Sequence, residues 1–310
     1  MRDMSVAAVA DPSFDARLRA AAQAWLAGRA AAGEDLVRSS ELTSFVFEGQ
    51  RQPLVAAQQG IWKPRQMDAA LSIRTTYTRP GATPPYEDAE GPDGLLRYKY
   101  RGTDPQHYEN RALRRAQEDG LPLIWFVGIA PGVYLPRWPV WLVAEERDEL
   151  QFAVAMDLSQ RALASAATHD DEQRRYVERL TRLRLHQPVF RSRVLFAYEQ
   201  RCAICRLRHL PLLDAAHIIP DTDPRGQPVV PNGLALCKIH HAAYDQDIIG
   251  VRPDLVVDVR EDVLAEIDGP MLRHGIQEMK GVRLTVPRER AARPDRQRLE
   301  ERYEHFRLAR

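Results

Sequence analysis

The period of hydrophobic and polar positions changes along this chain, and each change marks a different part. Residues 14–31, FDARLRAAAQAWLAGRAA, are alanine-rich with interspersed arginines, which predicts a helix. From about 42 to 155, short β-branched or aromatic runs stand between glycines and prolines: LTSFVFEG, ALSIRTTYT, LLRYKYRG, LPLIWFVG and PVWLVAEE. Those runs predict strands. HYENRALRRAQEDG, stopped by Gly120, predicts one inserted helix. Residues 1–156 are therefore expected to form a mixed α/β, barrel-like domain behind an N-terminal helix.

The small, polar stretch 157–172 reads as a linker. Beyond it, QRRYVERLTRLRLHQPVFRSRVLFAYEQRC predicts helix, broken near Pro188. LLDAAHIIP predicts a strand, and LALCKIHHAAYD follows a loop and runs into a helix. IIGVRPDLVVDVRED predicts a strand or hairpin, VRLTVP a short strand and DRQRLEERYEHFRLAR a charged terminal helix. Residues 173–310 thus form a second expected domain, a helical segment followed by a ββα unit. The fold class of the whole is α+β.

Composition narrows the function classes. Lys plus Arg is 44 and Asp plus Glu is 43, so no overall basic bias points to nucleic acid. A local one does: between 174 and 201 stand eight arginines (174, 175, 179, 182, 184, 191, 193 and 201) against Glu178 and Glu199. Such a run can contact phosphates or simply solvate a helix face. No apolar run is long enough for a membrane span, and the N-terminus makes no convincing signal peptide. An odd number of clustered cysteines favours metal binding in a reducing compartment over disulfides, so a cytoplasmic protein is expected.

All three cysteines lie in knuckles. Cys202 and Cys205 form C-x2-C, and Cys237 and His240 form C-x2-H at the same spacing. Two intervening residues let a tight turn aim both side chains at one ion, and three sulfurs plus one imidazole suit tetrahedral Zn2+. A site filled by four protein ligands leaves no position for water and is structural. His209 is a spare donor that fits neither knuckle.

The same segment holds His217 near the end of the predicted strand, Asn232 at the end of the loop and His241 on the predicted helix. A neutral imidazole can take a proton from water, and another can hold a hard divalent ion against a phosphate. The segment resembles the HNH nuclease family in its zinc-stapled, ββα-metal branch, with His217, Asn232 and His241 at the motif positions and HHAAYD as its ending. The resemblance implies phosphodiester hydrolysis in DNA. By it, His217 is the general base, Asn232 orients that base or braces the loop, and His241 binds a catalytic Mg2+ or Mn2+. Where many members carry a second metal ligand, directly before the base, this chain has Ala216. Asp214 and Asp245 are the candidates for the missing carboxylate.

An HNH motif has little sequence choice of its own, so the first domain is expected to select the target. Trp62, Lys63, Tyr98, Lys99 and Arg101 interleave aromatics with cations, as a base-stacking surface would, with Tyr77, Tyr86 and Tyr100 nearby. Ordinary strand alternation is the competing reading. Arg182, Arg184, Arg191 and Arg193 are expected phosphate contacts beside the nuclease segment. The layout is similar to restriction-type proteins with an SRA/PUA-like reader ahead of an HNH nuclease, which implies double-stranded, base-modified DNA as partner. Cleavage of both strands would suit a homodimer. The alternatives are a zinc-containing nucleic-acid-binding protein without catalysis, and an HNH nuclease acting on RNA or branched DNA. PDGLLRYK imitates another nuclease class, but Arg97 stands where that class needs a carboxylate. No phosphate-loop or dinucleotide fingerprint is present.

Overall fold

A computed structural model describes residues 13–79, 91–164 and 171–309. Helices and strands are mixed without a repeating β-α-β order, an α+β fold. The chain divides into two compact units. The first comprises residues 1–76, 86–128 and 132–181, the second 77–85, 129–131 and 182–310.

The first unit opens with helix α1 (Phe14–Ala31), capped by the Ser13 hydroxyl, which accepts from the Ala16 N–H. Leu18, Ala22 and Leu26 recur every fourth residue and bury one face. Arg19 shares that face. Asp15 neutralises it, and it donates to the carbonyls of Pro122 (2.7 Å) and Ala70 (2.8 Å).

Strand β1 (Val37–Arg38), helix α2 (Ser39–Thr43), β2 (Val46–Phe47) and β3 (Gln50–Arg51) follow. The strand expected over LTSFVFEG is therefore a helical turn and one arm of a tight hairpin. Glu48 and Gly49 at its tip both have positive φ, 49° and 73°, as a two-residue hairpin turn requires.

Next come β4 (Ile61–Trp62), β5 (Ser72–Thr75), β6 (Leu96–Lys99), α3 (Tyr108–Glu118), β7 (Leu123–Ala130), β8 (Val133–Glu146) and β9 (Gln151–Ala155). They form one sheet in the order β4-β5-β7-β8-β9-β6, with β1 also on β8. It curls into a half-barrel. All eight residues of β7 are buried, so both of its faces are covered. The path is open between β4 and β6, and Tyr98 of β6 reaches across. Its hydroxyl donates to the carbonyls of Gly60 (2.9 Å) and Arg74 (3.3 Å), and its ring meets Trp125 edge-on at 5.8 Å.

Helices α4 (Leu158–Ala164) and α5 (Asp171–Thr181) complete this unit. The stretch expected as a linker, 157–172, thus contains a packed helix; residues 165–170 lie outside the described residues. Gln160 explains it. Fully buried, its amide accepts from the Met156 N–H (2.7 Å) and donates to the Val177 carbonyl (3.2 Å) and the Thr181 hydroxyl (2.8 Å). A polar residue that fills three internal bonds looks like a linker residue in sequence.

In the second unit a π-helical turn, Arg182–His186, precedes α6 (Gln187–Ala197). Pro188 lies in the first turn of α6, where its missing N–H has no helical partner to lose, so the expected break takes the form of that wider turn. Strands β10 (Leu213–His217) and β11 (Gly233–Cys237) pair antiparallel and lead into α7 (Lys238–Asp245). Strands β12 (Ile249–Val251) and β13 (Val257–Val259), and helices α8 (Glu261–Ala265), α9 (Pro270–Gly275) and α10 (Arg296–Leu308), close the unit. VRLTVP, expected as a strand, contributes only an isolated bridge, Val256 to Arg283. Phe190, Val194, Leu213, Ala216, Leu234, Leu236 and Tyr244 lie in one core that α6, the hairpin and α7 share.

Tyr98 sits inside this packing. Tyr98→Phe, which deletes only the hydroxyl, is expected to lower the unfolding free energy by about 0.5–1.5 kcal/mol, because one buried hydroxyl bond is lost while the Gly60 carbonyl keeps the Arg74 N–H (2.7 Å). Urea denaturation checks this, and DNA affinity should not change.

Candidate active site and metal centre

The β10–β11 register builds two sites at opposite ends of one hairpin. Leu213 pairs with Cys237 and His217 with Gly233, so the cysteine knuckle and His217 are separated by four residue steps, about 13 Å of strand.

At the first end, the ligand atoms of Cys202, Cys205, Cys237 and His240 all lie within 4.8 Å of one another. The two sulfurs of Cys202 and Cys237 stand 3.4 and 3.2 Å from His240 Nδ1. His240 Nε2 lies 2.9 Å from the Gly275 carbonyl, an acceptor, which assigns the ring proton to Nε2 and turns the Nδ1 lone pair toward the sulfurs. The Cys202 knuckle is held by Cys202 N–H to Leu207 O (2.9 Å) and Arg206 N–H to Cys202 O (3.0 Å), with Arg206 at φ 63°. It is tied to the hairpin by the Ala203 N–H, which donates to Ala235 O (2.7 Å). Electron-rich donors in this set and spacing fit a closed, tetrahedral zinc site. His209 is exposed and outside it.

At the other end, His217 stacks on Phe190 of α6, with ring centroids 4.1 Å apart at 19°. Gly233 opposite His217 makes this packing possible. A Cβ there would stand 2.5 Å from Val194 Cγ2 and 2.9 Å from Phe190 Cζ. His217 Nε2 is buried with no hydrogen-bond partner, and burial pushes this imidazole below its ordinary value of 6.5. It is neutral at physiological pH.

Asn232 is fully buried. Its Oδ1 accepts from the Ile219 N–H (2.9 Å), and its Nδ2 donates to Ile219 O (3.0 Å) and Gln227 O (3.1 Å). Of the two roles the resemblance allowed, the geometry is that of a loop brace.

His241 projects from α7 between two carboxylates: Nδ1 is 3.6 Å from Asp214 Oδ2, and Nε2 is 3.3 Å from Asp245 Oδ2. Its pKa is raised, first by the hydrogen bond to Asp214 and then by the charge of Asp245. The two aspartates are not equivalent. A cleft of about 480 Å³ is lined by His217, His241 and Asp245, whereas Asp214 stands outside its walls, 3.5 Å from Arg191 Nε. Ala216 is fully buried in the core, so that position faces away from the cleft.

Sequence reasoning missed the rest of the cleft wall. Asp221 lies in it, in an H-x3-D spacing from His217 that crosses Pro220, and its charge acts on His217. Asp247, Glu301, Arg302 and His305 also line it. The last three come from α10, about sixty residues away, with no local motif to betray them.

The expected nucleic-acid contacts divide. Arg182 and Arg184 are exposed. Arg191 instead donates to the Leu210 (3.3 Å) and Leu213 (2.9 Å) carbonyls, fastening the start of β10. Arg193 is largely buried, which pushes its pKa down. In the first unit, Tyr98 belongs to the core, Lys63 donates to Met67 O, and Lys99 lies 3.3 Å from Glu149 O. Trp62, its indole N–H bonded to Pro53 O (2.7 Å), lines a cleft of about 460 Å³ with Arg51 and Arg101. Tyr86 lies outside the described residues. Strand packing consumed the others because both faces of this sheet are covered.

Residues 202–252 match the HNH endonuclease family. The match spans the cysteine knuckles, His217, Asn232 and His241, and ends just after β12. Among solved structures, the chain is similar to a modification-dependent TagI restriction endonuclease, at 17% identity over 81% of this chain and 86% of that one, with a TM-score of 0.29. It is also similar to the Type IV phosphorothioation-dependent restriction endonuclease ScoMcrA, at 16% identity over 59% of this chain and 54% of that one, with a TM-score of 0.22. No curated protein matches it.

Two outcomes test the HNH geometry. Cys237→Ser should lose bound metal by elemental analysis and lose cooperative unfolding of the second unit. Asn232→Ala removes three hydrogen bonds at a buried site, for an expected loss of about 2–4 kcal/mol, read as a lower denaturation midpoint with the metal content retained.

Proposed function

We propose that the protein is a divalent-metal-dependent DNA endonuclease in which the first unit selects base-modified DNA and the HNH segment cuts it. One observation carries the reading: His217 and His241, in register with the family's motif, open onto the same acid-lined cleft.

Within that cleft the two histidines have opposite electrostatics, which assigns their work. His217 is held neutral by burial, as a general base must be. With Nε2 enclosed, Nδ1 is the atom left to receive a proton from water. As the water oxygen forms its bond to phosphorus, the bond to the 3′ oxygen breaks, leaving a 5′-phosphate. His241 Nε2 and Asp245 Oδ2, 3.3 Å apart on the cleft wall, are the donors for Mg2+ or Mn2+. Such an ion, when bound, supplies positive charge to the phosphate and the departing oxygen. Asp214 takes the orienting role, holding His241 from its Nδ1 side. Asn232 keeps the loop after His217 in place. The closed Cys3His cluster takes no part in the chemistry and holds Zn2+ as a staple.

For the first unit, the cleft that unites Arg51, Trp62 and Arg101 supports base reading, since it combines a half-buried indole with guanidinium groups. Among the described residues no helix is long and apolar enough to cross a membrane.

Two measurements test the reading. Purified protein with Mn2+ should cleave duplex DNA bearing modified bases, and His217→Ala should lose about 10²–10⁴-fold in rate. Equal cleavage by the variant, or cleavage of RNA alone, contradicts it. The pH profile is the second: at saturating Mn2+, where the ion displaces the proton that Asp214 and Asp245 favour on His241, the depressed His217 pKa should keep activity full at pH 7 and let it fall only below about pH 6.5. A profile that rises only above pH 8 would show that another group is the base.

A further inference from the structure

The family match ends just after β12, yet the cleft draws on residues further along the chain. Its remaining wall is α10, and the contacts of α10 with the hydrolytic helix α7 are specific. Just past the Gln246 cap of α7, Asp247 lies in the left-handed region (φ 52°), a position that usually favours glycine. The Ile248 N–H closes that turn onto Ala243 O (2.9 Å). Arg302 of α10 grips the same turn at three points. It pairs with the Asp247 carboxylate, donates through Nη2 to Tyr244 O (2.6 Å), and lies over the Tyr244 ring at 4.8 Å. Both partners of the ion pair are nearly enclosed, with side chains 11% and 12% exposed. His305 adds a contact to Asp247 Oδ2 at 3.3 Å. Beneath them α10 packs directly on β12: a Cβ on Gly250 would stand 2.5 Å from Phe306 Cδ1.

Asp245 lies between the two residues that Arg302 holds, directly after Tyr244 and followed by Gln246. It is itself exposed on the last turn of α7, beside His241 one turn earlier. A second bridge joins α10 to the loop after His217, from Arg225 to Glu301 (2.7 Å), but Arg225 is 63% exposed and solvent screens such a pair. The enclosed contact is the one able to set geometry.

We propose that Arg302 is a positioning residue for the hydrolytic centre: by clamping Tyr244 and Asp247 it keeps Asp245 against His241 Nε2, and so makes α10 part of the active site. This rests on the roles given above to His241 and Asp245. The test titrates zinc-loaded, full-length protein with Mn2+, read by the electron paramagnetic resonance signal of the free ion, and then measures DNA cleavage against Mn2+. Arg302→Met should raise the Mn2+ concentration for half-occupancy at least fivefold, with zinc content unchanged. Its KM for DNA should stay within twofold at saturating Mn2+. Arg302→Lys should recover part of the affinity, and Arg225→Met should stay within twofold of the unaltered chain.

Removing Arg302 strands the enclosed Asp247 carboxylate, which can unfold the variant. Arg302→Met with Asp247→Asn removes that charge, and the same fivefold loss is expected of it. If His241→Ala binds Mn2+ as tightly as the unaltered chain, the assignment of the metal ligands falls. If His241→Ala loses binding while the folded Arg302 variants keep it, the positioning role alone is overturned.

Discussion

The convergence of Cys202, Cys205, Cys237 and His240 on one point is the constraint from which the rest of the second unit follows. The first knuckle has little regular structure of its own, and it reaches β11 through the Ala203 bond to Ala235. The second knuckle is the junction of β11 and α7. Joining the two fixes where α7 starts and hence the rotation of its face. His240 then points inward to the cluster, and His241, the next residue, points toward the cleft. Structural zinc contributes about 10–16 kcal/mol in small zinc peptides, as much as the whole stability of a domain, about 5–15 kcal/mol. A ββα unit of this size, with a modest core, depends on such a cross-link more than on any single packing contact.

Placing the staple and the reactive histidines at opposite ends of a five-residue hairpin separates two kinds of chemistry. In the proposed reading, three sulfur donors, Cys205 among them exposed, and one imidazole saturate a zinc ion. Oxygen donors and imidazole line the other site, where water and phosphate need access. The cleft is rich in carboxylates, but their charges are partly met internally: Asp223 and Glu301 by Arg225, and Asp247 by Arg302 and His305. Asp221 and Asp245 remain beside the histidines. The local charge near His217 and His241 therefore favours a cation at that end of the cleft.

Much of this was legible in the chain because the chemistry is local. The knuckles, His217, Asn232 and His241 fall within one short segment, and each ligand pair is set by a two-residue spacing. The helix α1, the hairpin β12–β13 and the terminal helix α10 showed themselves by period alone. What stayed hidden depended on distant partners. Tyr98 and Arg97 carry the composition of a nucleic-acid surface, yet a curled sheet covered on both faces buries them, and Arg97 is neutralised by Asp93 and Glu146. Gln160 turned a stretch of linker composition into packed helix. Asp214 and Asp245 were indistinguishable by spacing, since each falls near His241 once the fold forms, and only the cleft walls separate their places. Arg302 carries no motif at all.

Anomalous diffraction tests the division into two metal sites most directly. Crystals grown with zinc and soaked in Mn2+ would be measured at both absorption edges. The account predicts a zinc peak enclosed by Cys202, Cys205, Cys237 and His240, and a separate manganese peak beside His241 Nε2 and Asp245. Manganese at the cysteine cluster alone, or no manganese within bonding distance of His241, would contradict it.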